Sequence, residues 1–172
     1  MIILTAFYLK GTSTPMKMQN KTNIRSPALS YGLVFSQFLL IGLLIMTLDW
    51  QLLTGWTLLP MALAIALGAW SVWVMKTVGF NIVPDPHEHF QLIEQGPYHW
   101  IHHPMYSSIL LFFWPCVLTQ PMGQNPTAWL LMTLLTLVLL IKLHYEEQLL
   151  AEKVHGYRDY QQRTAKILPF IF

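Results

Sequence analysis

The sequence predicts an all-α integral membrane protein: two transmembrane helices, a short helical hairpin, and an amphipathic C-terminal helix on the cytoplasmic side. Three observations carry this expectation. The chain has 172 residues, 54% of them hydrophobic and only 10% charged, which is little charge for a soluble domain. Its apolar residues gather in long uncharged runs. Its basic residues all fall on one side of those runs.

The first 27 residues open with an apolar stretch, Met1 to Leu9, and then turn polar and basic. No positive region precedes that stretch, so it makes a poor signal peptide. Residues 1–27 are read as a cytoplasmic arm, with Met16 or Met18 as alternative starts. Ala28 to Leu48 carries no charge through its apolar run and reaches the roughly 20 residues a membrane helix needs. Leu52 to Met75 is a second such run. Pro60, Gly55 and Gly68 are tolerable within it, because membrane helices carry both residue types more often than soluble ones. Asp49-Trp50-Gln51 is the polar turn between the two.

From Pro104 to Ile141 the chain is again uncharged, but Thr119 to Pro126 interrupts it with two prolines, a glycine and an asparagine. Such a cluster makes a turn. The arms, Met105 to Leu118 and Thr127 to Leu143, are short for full spans and form either a transmembrane or a re-entrant hairpin. Beyond Glu147, the apolar positions Leu149, Leu150, Val154, Tyr157 and Tyr160 point to an amphipathic helix at the membrane surface, with Gly156 as its possible end.

Orientation follows from the ten bases. Lys10, Lys17, Lys21 and Arg25 precede the first span, Lys76 follows the second, and Lys142, Lys153, Arg158, Arg163 and Lys166 follow the hairpin. An even number of crossings puts all of them on one side, and the two opposite turns hold none. Positive residues favour the cytoplasm, so both termini and all seven histidines are expected there. The membrane is the plasma or inner membrane if the source is bacterial. A net charge of +2 gives no basis for nucleic-acid binding. Cys116 stands alone in an apolar run, which excludes a disulfide framework or a cysteine-based metal site and makes it a buried, inert thiol.

Two segments carry chemistry. One is Gln95 to Tyr106, containing Gly96-Pro97-Tyr98 and His102-His103-Pro104-Met105-Tyr106; the other begins at His144-Tyr145-Glu146-Glu147. Pro104 suits the first turn of a helix, where its missing N–H costs nothing. The free amides of that turn beside His102 and His103 would seat an anion. The returning arm would end near Glu146 and Glu147, a seat for a cation. Side by side they suit a zwitterion. Plainer roles exist for each part. Glu146 can pair with Lys142 one turn earlier. Neighbouring helix residues point about 100° apart, so one glutamate can face the site while the other meets water. The histidines can be interfacial polar groups, and Tyr98, Trp100 and Tyr106 can belong to an aromatic belt.

Gly96-Pro97-Tyr98, His103-Pro104-Met105-Tyr106, the short apolar hairpin, Glu146-Glu147, Gly156-Tyr157, Tyr160 and Pro169 together resemble the isoprenylcysteine carboxyl methyltransferase family, to which phospholipid methyltransferases are similar. The likeness runs from about Gly79 to Pro169. It implies one membrane domain over residues 28–172, whose half from about residue 77 binds S-adenosylmethionine from the cytoplasm. By the same resemblance Tyr98, His102, His103, Pro104 and Tyr106 line the cofactor site, and Glu146 and Glu147 bind or orient cofactor or substrate. A lipophilic or prenylated substrate enters from the bilayer. The chain departs from the family in having His102 and His99 where arginine is usual, and histidine is charged only part of the time at neutral pH.

The activity expected is in-line methyl transfer to a lipophilic acceptor: an isoprenylcysteine-like carboxylate, or a small lipid acid, amine or phospholipid. A carboxylate needs no base. A protic acceptor does, with Glu147, Glu146 or His103 as the catalytic candidates. No metal is expected. Three rivals differ in class. His99-Trp100-Ile101-His102-His103 spells an HxxHH box of membrane di-iron oxidases, although the further boxes such enzymes need are missing. A membrane reductase using NADPH shares the topology, but no dinucleotide signature is visible. A non-enzymatic scaffold of the same fold is the third.

Overall fold

The computed structural model describes residues 27–76, 92–154 and 156–167. The arm before Pro27, the segment 77–91 with His87 and His89, and Pro169 lie outside the described residues. Among the described residues every regular element is helical: α1 (Pro27–Thr47), α2 (Gly55–Lys76), α3 (Pro104–Leu118), α4 (Pro126–Lys153) and α5 (Tyr157–Arg163), with short 3-10 turns at Trp50–Leu52 and Gly96–His99. Three stretches are long and apolar enough to cross a membrane: Ala28–Thr47, Gly55–Lys76 and Pro126–Glu152. They fit a multi-pass integral membrane protein. α3, with 15 residues, is about 22 Å long and shorter than these three.

α1 packs on α4, α2 on α3, and α3 on α4. The helices run antiparallel in sequence along this row. Ser30, early in α1, meets Tyr145, late in α4. At the other end, the Asn125 side chain donates to the Thr47 carbonyl at 2.9 Å. Leu44, Cys116, Val117, Met132, Leu135 and Leu139 fill the core between them, while Phe35, Met46, Leu59 and Trp73 are exposed, as a lipid-facing surface requires. Cys116 is buried, with its thiol on the Phe112 carbonyl.

The turn end is held by polar contacts that apolar helices cannot supply. Asn125 caps α4 by accepting from the Ala128 amide at 3.1 Å, just before Pro126 at the first turn. Gln120, 2% exposed, donates to the Asp49 carbonyl at 3.0 Å and accepts from the Asp49 amide at 3.3 Å. A shallow polar cleft of about 390 Å³ opens there, at the end opposite the histidines.

Two features differ from the sequence-based expectation. The second hairpin arm does not stop near Leu143. α4 continues to Lys153, since His144 to Lys153 contains neither proline nor glycine, and by length and composition it is a candidate full span. No single amphipathic helix runs from Leu149 to Tyr160. α4 is capped at Val154, and α5 starts afresh after Gly156, which adopts φ +81°. The tyrosine face of α5, Tyr157 and Tyr160, is buried, with both rings close to His102.

Candidate active site

The site is assembled from four local structures at one end of the bundle. The 3-10 turn Gly96–His99 is pressed against the end of α2. A Cβ on Gly96 would lie 2.9 Å from Val74 Cγ2 and 3.1 Å from Trp70 Nε1, and the residue has φ +61°. Only glycine fits both the space and the backbone. Pro97 and Tyr98 are buried beside it. Pro104 then opens α3, as its fixed φ and missing donor favour.

A strap of chain after α5 lies across the entrance to α3. Ile101 and Ala165 form a parallel bridge. The amides of His102 and His103 donate to the carbonyls of Ala165 and Lys166, at 2.7 and 3.1 Å. Ser107 Oγ donates to the Ile167 carbonyl at 2.6 Å, and Tyr160 Oη donates to the Tyr98 carbonyl at 2.5 Å. The strap and α5 therefore fix the backbone of both histidines. The anion seat expected from free amides is altered accordingly. The His102 and His103 amides are taken by the strap, and those of Tyr106 and Ser107 both turn back to the His103 carbonyl.

Side chains, not amides, carry the chemistry. His102 Nδ1 lies 3.1 Å from Glu147 Oε1. His103 Nδ1 lies 3.4 Å from Glu146 Oε2, and its Nε2 is 3.9 Å from Glu147 Oε1. Tyr106 Oη donates to Glu146 Oε1 at 2.7 Å, and its ring stacks on His103 with centroids 5.2 Å apart. Lys166 Nζ sits 3.7 Å from Glu147 Oε2. Tyr98, Pro104 and the two histidines are buried.

Both glutamates thus reach the histidines, instead of one facing solvent. α3 and the strap flank α4 on adjacent sides, so a 100° step between neighbours still points each carboxylate at a partner. Lys142 does not pair with Glu146. Its ammonium is buried and donates to Gln37 Oε1 on α1 at 3.0 Å, with the Tyr106 ring 5.2 Å away. It is consequently a residue of the helix bundle, not one of the loop bases used to orient the chain. His99 is exposed, its ring against Trp100, and among the described residues no three His, Cys, Asp or Glu side chains are placed to hold a metal ion.

Burial pushes the phenols of Tyr98, Tyr157 and Tyr160 well above the usual tyrosine range. All three keep their protons, and Tyr160 uses its own to reach the Tyr98 carbonyl. Two buried side-chain atoms stand without a hydrogen-bond partner among the described residues, and both are in this cluster: Nε2 of His102 and Nε2 of His103. A buried polar atom left so costs about 1–3 kcal/mol, a cost a ligand donor or acceptor removes.

Sequence reasoning missed Lys166, Ser107 and the strap backbone. Nothing in the pattern of residues 164–167 marks a partner 60 residues away; a serine one turn after His103 was the only trace.

The sequence profile of the isoprenylcysteine carboxyl methyltransferase (ICMT) family matches residues 52–152. The chain belongs to this family. The match takes in α2, the Gly96–His99 turn, α3 and nearly all of α4, hence both the histidine pair and the glutamate pair. Membership in the ICMT family implies a membrane methyltransferase. Gly156-Tyr157 and Tyr160, part of the likeness seen in the sequence, fall beyond the matched residues, as does α1. Among curated proteins and among solved structures, none matches the chain.

Proposed function

We propose that this ICMT-family protein transfers the methyl group of S-adenosylmethionine to a lipophilic acceptor at the cytoplasmic face of the membrane. The observation that carries the proposal is the convergence of His102, His103, Glu146 and Glu147, from opposite arms of the hairpin, with both Nε2 atoms buried and without a hydrogen-bond partner among the described residues. A donor set of two carboxylates, two imidazoles and a buried tyrosine suits a ligand carrying both signs of charge. S-adenosylmethionine is such a ligand, with a carboxylate, an ammonium and a sulfonium.

Glu146, held by Tyr106 and faced by His103, is the seat for the cofactor's ammonium; His103 offers its free nitrogen to a polar group of the same ligand. Tyr98 and Pro104 wall the site. When bound, the cofactor supplies an electrophilic methyl group. The chain's own contribution is alignment of the acceptor in a water-poor site, worth several kcal/mol where the geometry is good. The acceptor arrives from the bilayer, and the bases of the arm, of Lys76 and of the C-terminal segment support a cytoplasmic mouth and cytoplasmic termini.

The test is calorimetric titration of S-adenosylhomocysteine into detergent-purified protein, beside Glu146→Ala and His103→Ala. Micromolar binding to wild type that is lost in both variants is the expected result. Absence of binding to folded wild-type protein removes the proposal.

A further inference from the structure

We infer that Lys142, together with Gln37 from α1, binds the carboxylate of a lipophilic acid acceptor. The inference rests on the methyltransferase function proposed above and names the residues that choose its acceptor. Lys142 is 2% exposed and lies within the apolar stretch of α4. Among the described residues it is the one buried lysine or arginine. Ionisable groups at membrane depth are costly and commonly mark the path of a substrate or ion. The ammonium forms no ion pair among the described residues; its hydrogen bond is to a neutral amide, Gln37 Oε1 at 3.0 Å.

The pair presents donors only. An ammonium cannot accept, so the Gln37 amide must turn its oxygen to Lys142 and its nitrogen away. The remaining N–H groups of both residues call for a partner that only accepts. A carboxylate is such a partner, and its two oxygens can meet both residues at once. An amine acceptor would bring a second ammonium to the first. His99 and His102 stand where arginine is usual in the resemblance, so Lys142 is the buried group here whose charge does not depend on an imidazole. α1 lies outside the residues matched to the family, which makes the Gln37 half of the pair this chain's own.

The position suits the reaction. Lys142 and Glu146 are one helical turn apart on α4, about 6 Å along its axis, with Lys142 nearer the middle of the span. The Lys142 ammonium is 5.2 Å from the Tyr106 ring, which stacks on His103 and whose hydroxyl holds Glu146. An acceptor carboxylate on Lys142 therefore lies one turn below the cofactor seat, on the side from which a lipophilic chain arrives. Glu146 is the charged neighbour of this position, and its contacts to Tyr106 and His103 direct it away from Lys142. Ser30 and Tyr145, 3.5 Å apart, continue the polar seam between α1 and α4 toward the site.

In the transfer a carboxylate oxygen uses a lone pair to form the C–O bond to the donor methyl. The C–S bond breaks with its electron pair left on sulfur. Carboxylate and sulfonium become a neutral ester and a neutral thioether, and no proton moves. The ester has lost the charge that held it to Lys142 and returns to the bilayer.

The experiment uses the full chain in phosphatidylcholine nanodiscs. Folded wild type that fails to bind S-adenosylhomocysteine removes the methyltransferase function, and this inference with it. Wild type loaded with S-adenosylhomocysteine is then titrated with dodecanoate and with S-farnesylated N-acetylcysteine, each beside its uncharged carboxamide. At least one acid is expected to bind about tenfold more tightly than its amide, the gain a hydrogen-bonded charge gives. Two variants locate that preference. Lys142→Met with Gln37→Leu removes the pair, and Gln37→Glu gives the ammonium a carboxylate from the chain itself. In both, the preference is expected to fall below about twofold, with affinity for S-adenosylhomocysteine within about threefold of wild type. If the double variant does not fold, Gln37→Glu decides. Wild type that prefers neither acid to its amide overturns the acceptor class and leaves the methyltransferase function in place. A preference kept in either folded variant, or a loss of S-adenosylhomocysteine affinity in both, overturns Lys142 as the group that binds the acceptor.

Discussion

The ammonium of Lys142, on α4, donates to the side-chain oxygen of Gln37, on α1, at 3.0 Å, with both residues buried between apolar helices. An ammonium has three donors, and away from water each partner it has matters. Gln37→Leu leaves the charge without its acceptor and is expected to destabilise the protein by about 2–3 kcal/mol. The double variant Lys142→Met, Gln37→Leu removes both polar groups together and should return to within about 1 kcal/mol of wild type. Denaturation of the single and double variants in detergent measures this, and additive losses would show that the contact contributes little.

Tyr106 and Glu146 form the shortest contact between the two arms of the hairpin at the site, at 2.7 Å. Tyr106→Phe keeps the ring that stacks on His103 and removes only the hydroxyl. The freed carboxylate loses its fixed direction, and affinity for S-adenosylhomocysteine should weaken by about tenfold, or 1.4 kcal/mol. His144→Ala, an exposed position on the same helix, should change nothing. Equal effects from the two variants would argue against a site at this end of α4.

Gly96 is the position where backbone and space both forbid a side chain. Gly96→Ala meets Val74 and Trp70 while holding φ at +61°, and a loss of about 2–3 kcal/mol is expected from strain and overpacking together. Gly123→Ala, with nothing within 4 Å, is the control and should be nearly neutral. Thermal unfolding of the pair gives the comparison.

The buried phenols make stability depend on pH at the alkaline end. Tyr98, Tyr157 and Tyr160 hold their protons above the usual tyrosine range, chiefly through burial. In the unfolded chain the same groups ionise near pH 10. Above that pH the unfolded state binds fewer protons than the folded state, so stability is full below about pH 10 and falls as pH rises further. The melting temperature followed from pH 8 to pH 11 should show this decline, and Tyr98→Phe should make it shallower. A decline unchanged in Tyr98→Phe would locate its cause elsewhere.

The sequence by itself determined the long apolar helices, though not the end of α4 or the separate α5, because each apolar run is written in a local pattern. The uncharged runs are long enough for lipid, Pro104 marks where a helix starts, and the cluster from Thr119 to Pro126 marks a turn. It also brought the His103-Pro104 and Glu146-Glu147 motifs forward, since their spacing survives in the chain itself. What lay beyond its reach depends on contacts between residues far apart. That Lys142 turns to Gln37 and not to Glu146 follows from α1 packing on α4, and no helical spacing encodes which helix a lysine faces. That both glutamates point inward follows from α4 being flanked by α3 and by the strap at residues 164–167. The strap's backbone carbonyls hold His102 and His103, and backbone hydrogen bonds carry no mark in residue identity. Only the tertiary structure could therefore decide that His102 meets Glu147 through one nitrogen and has no hydrogen-bond partner at the other among the described residues.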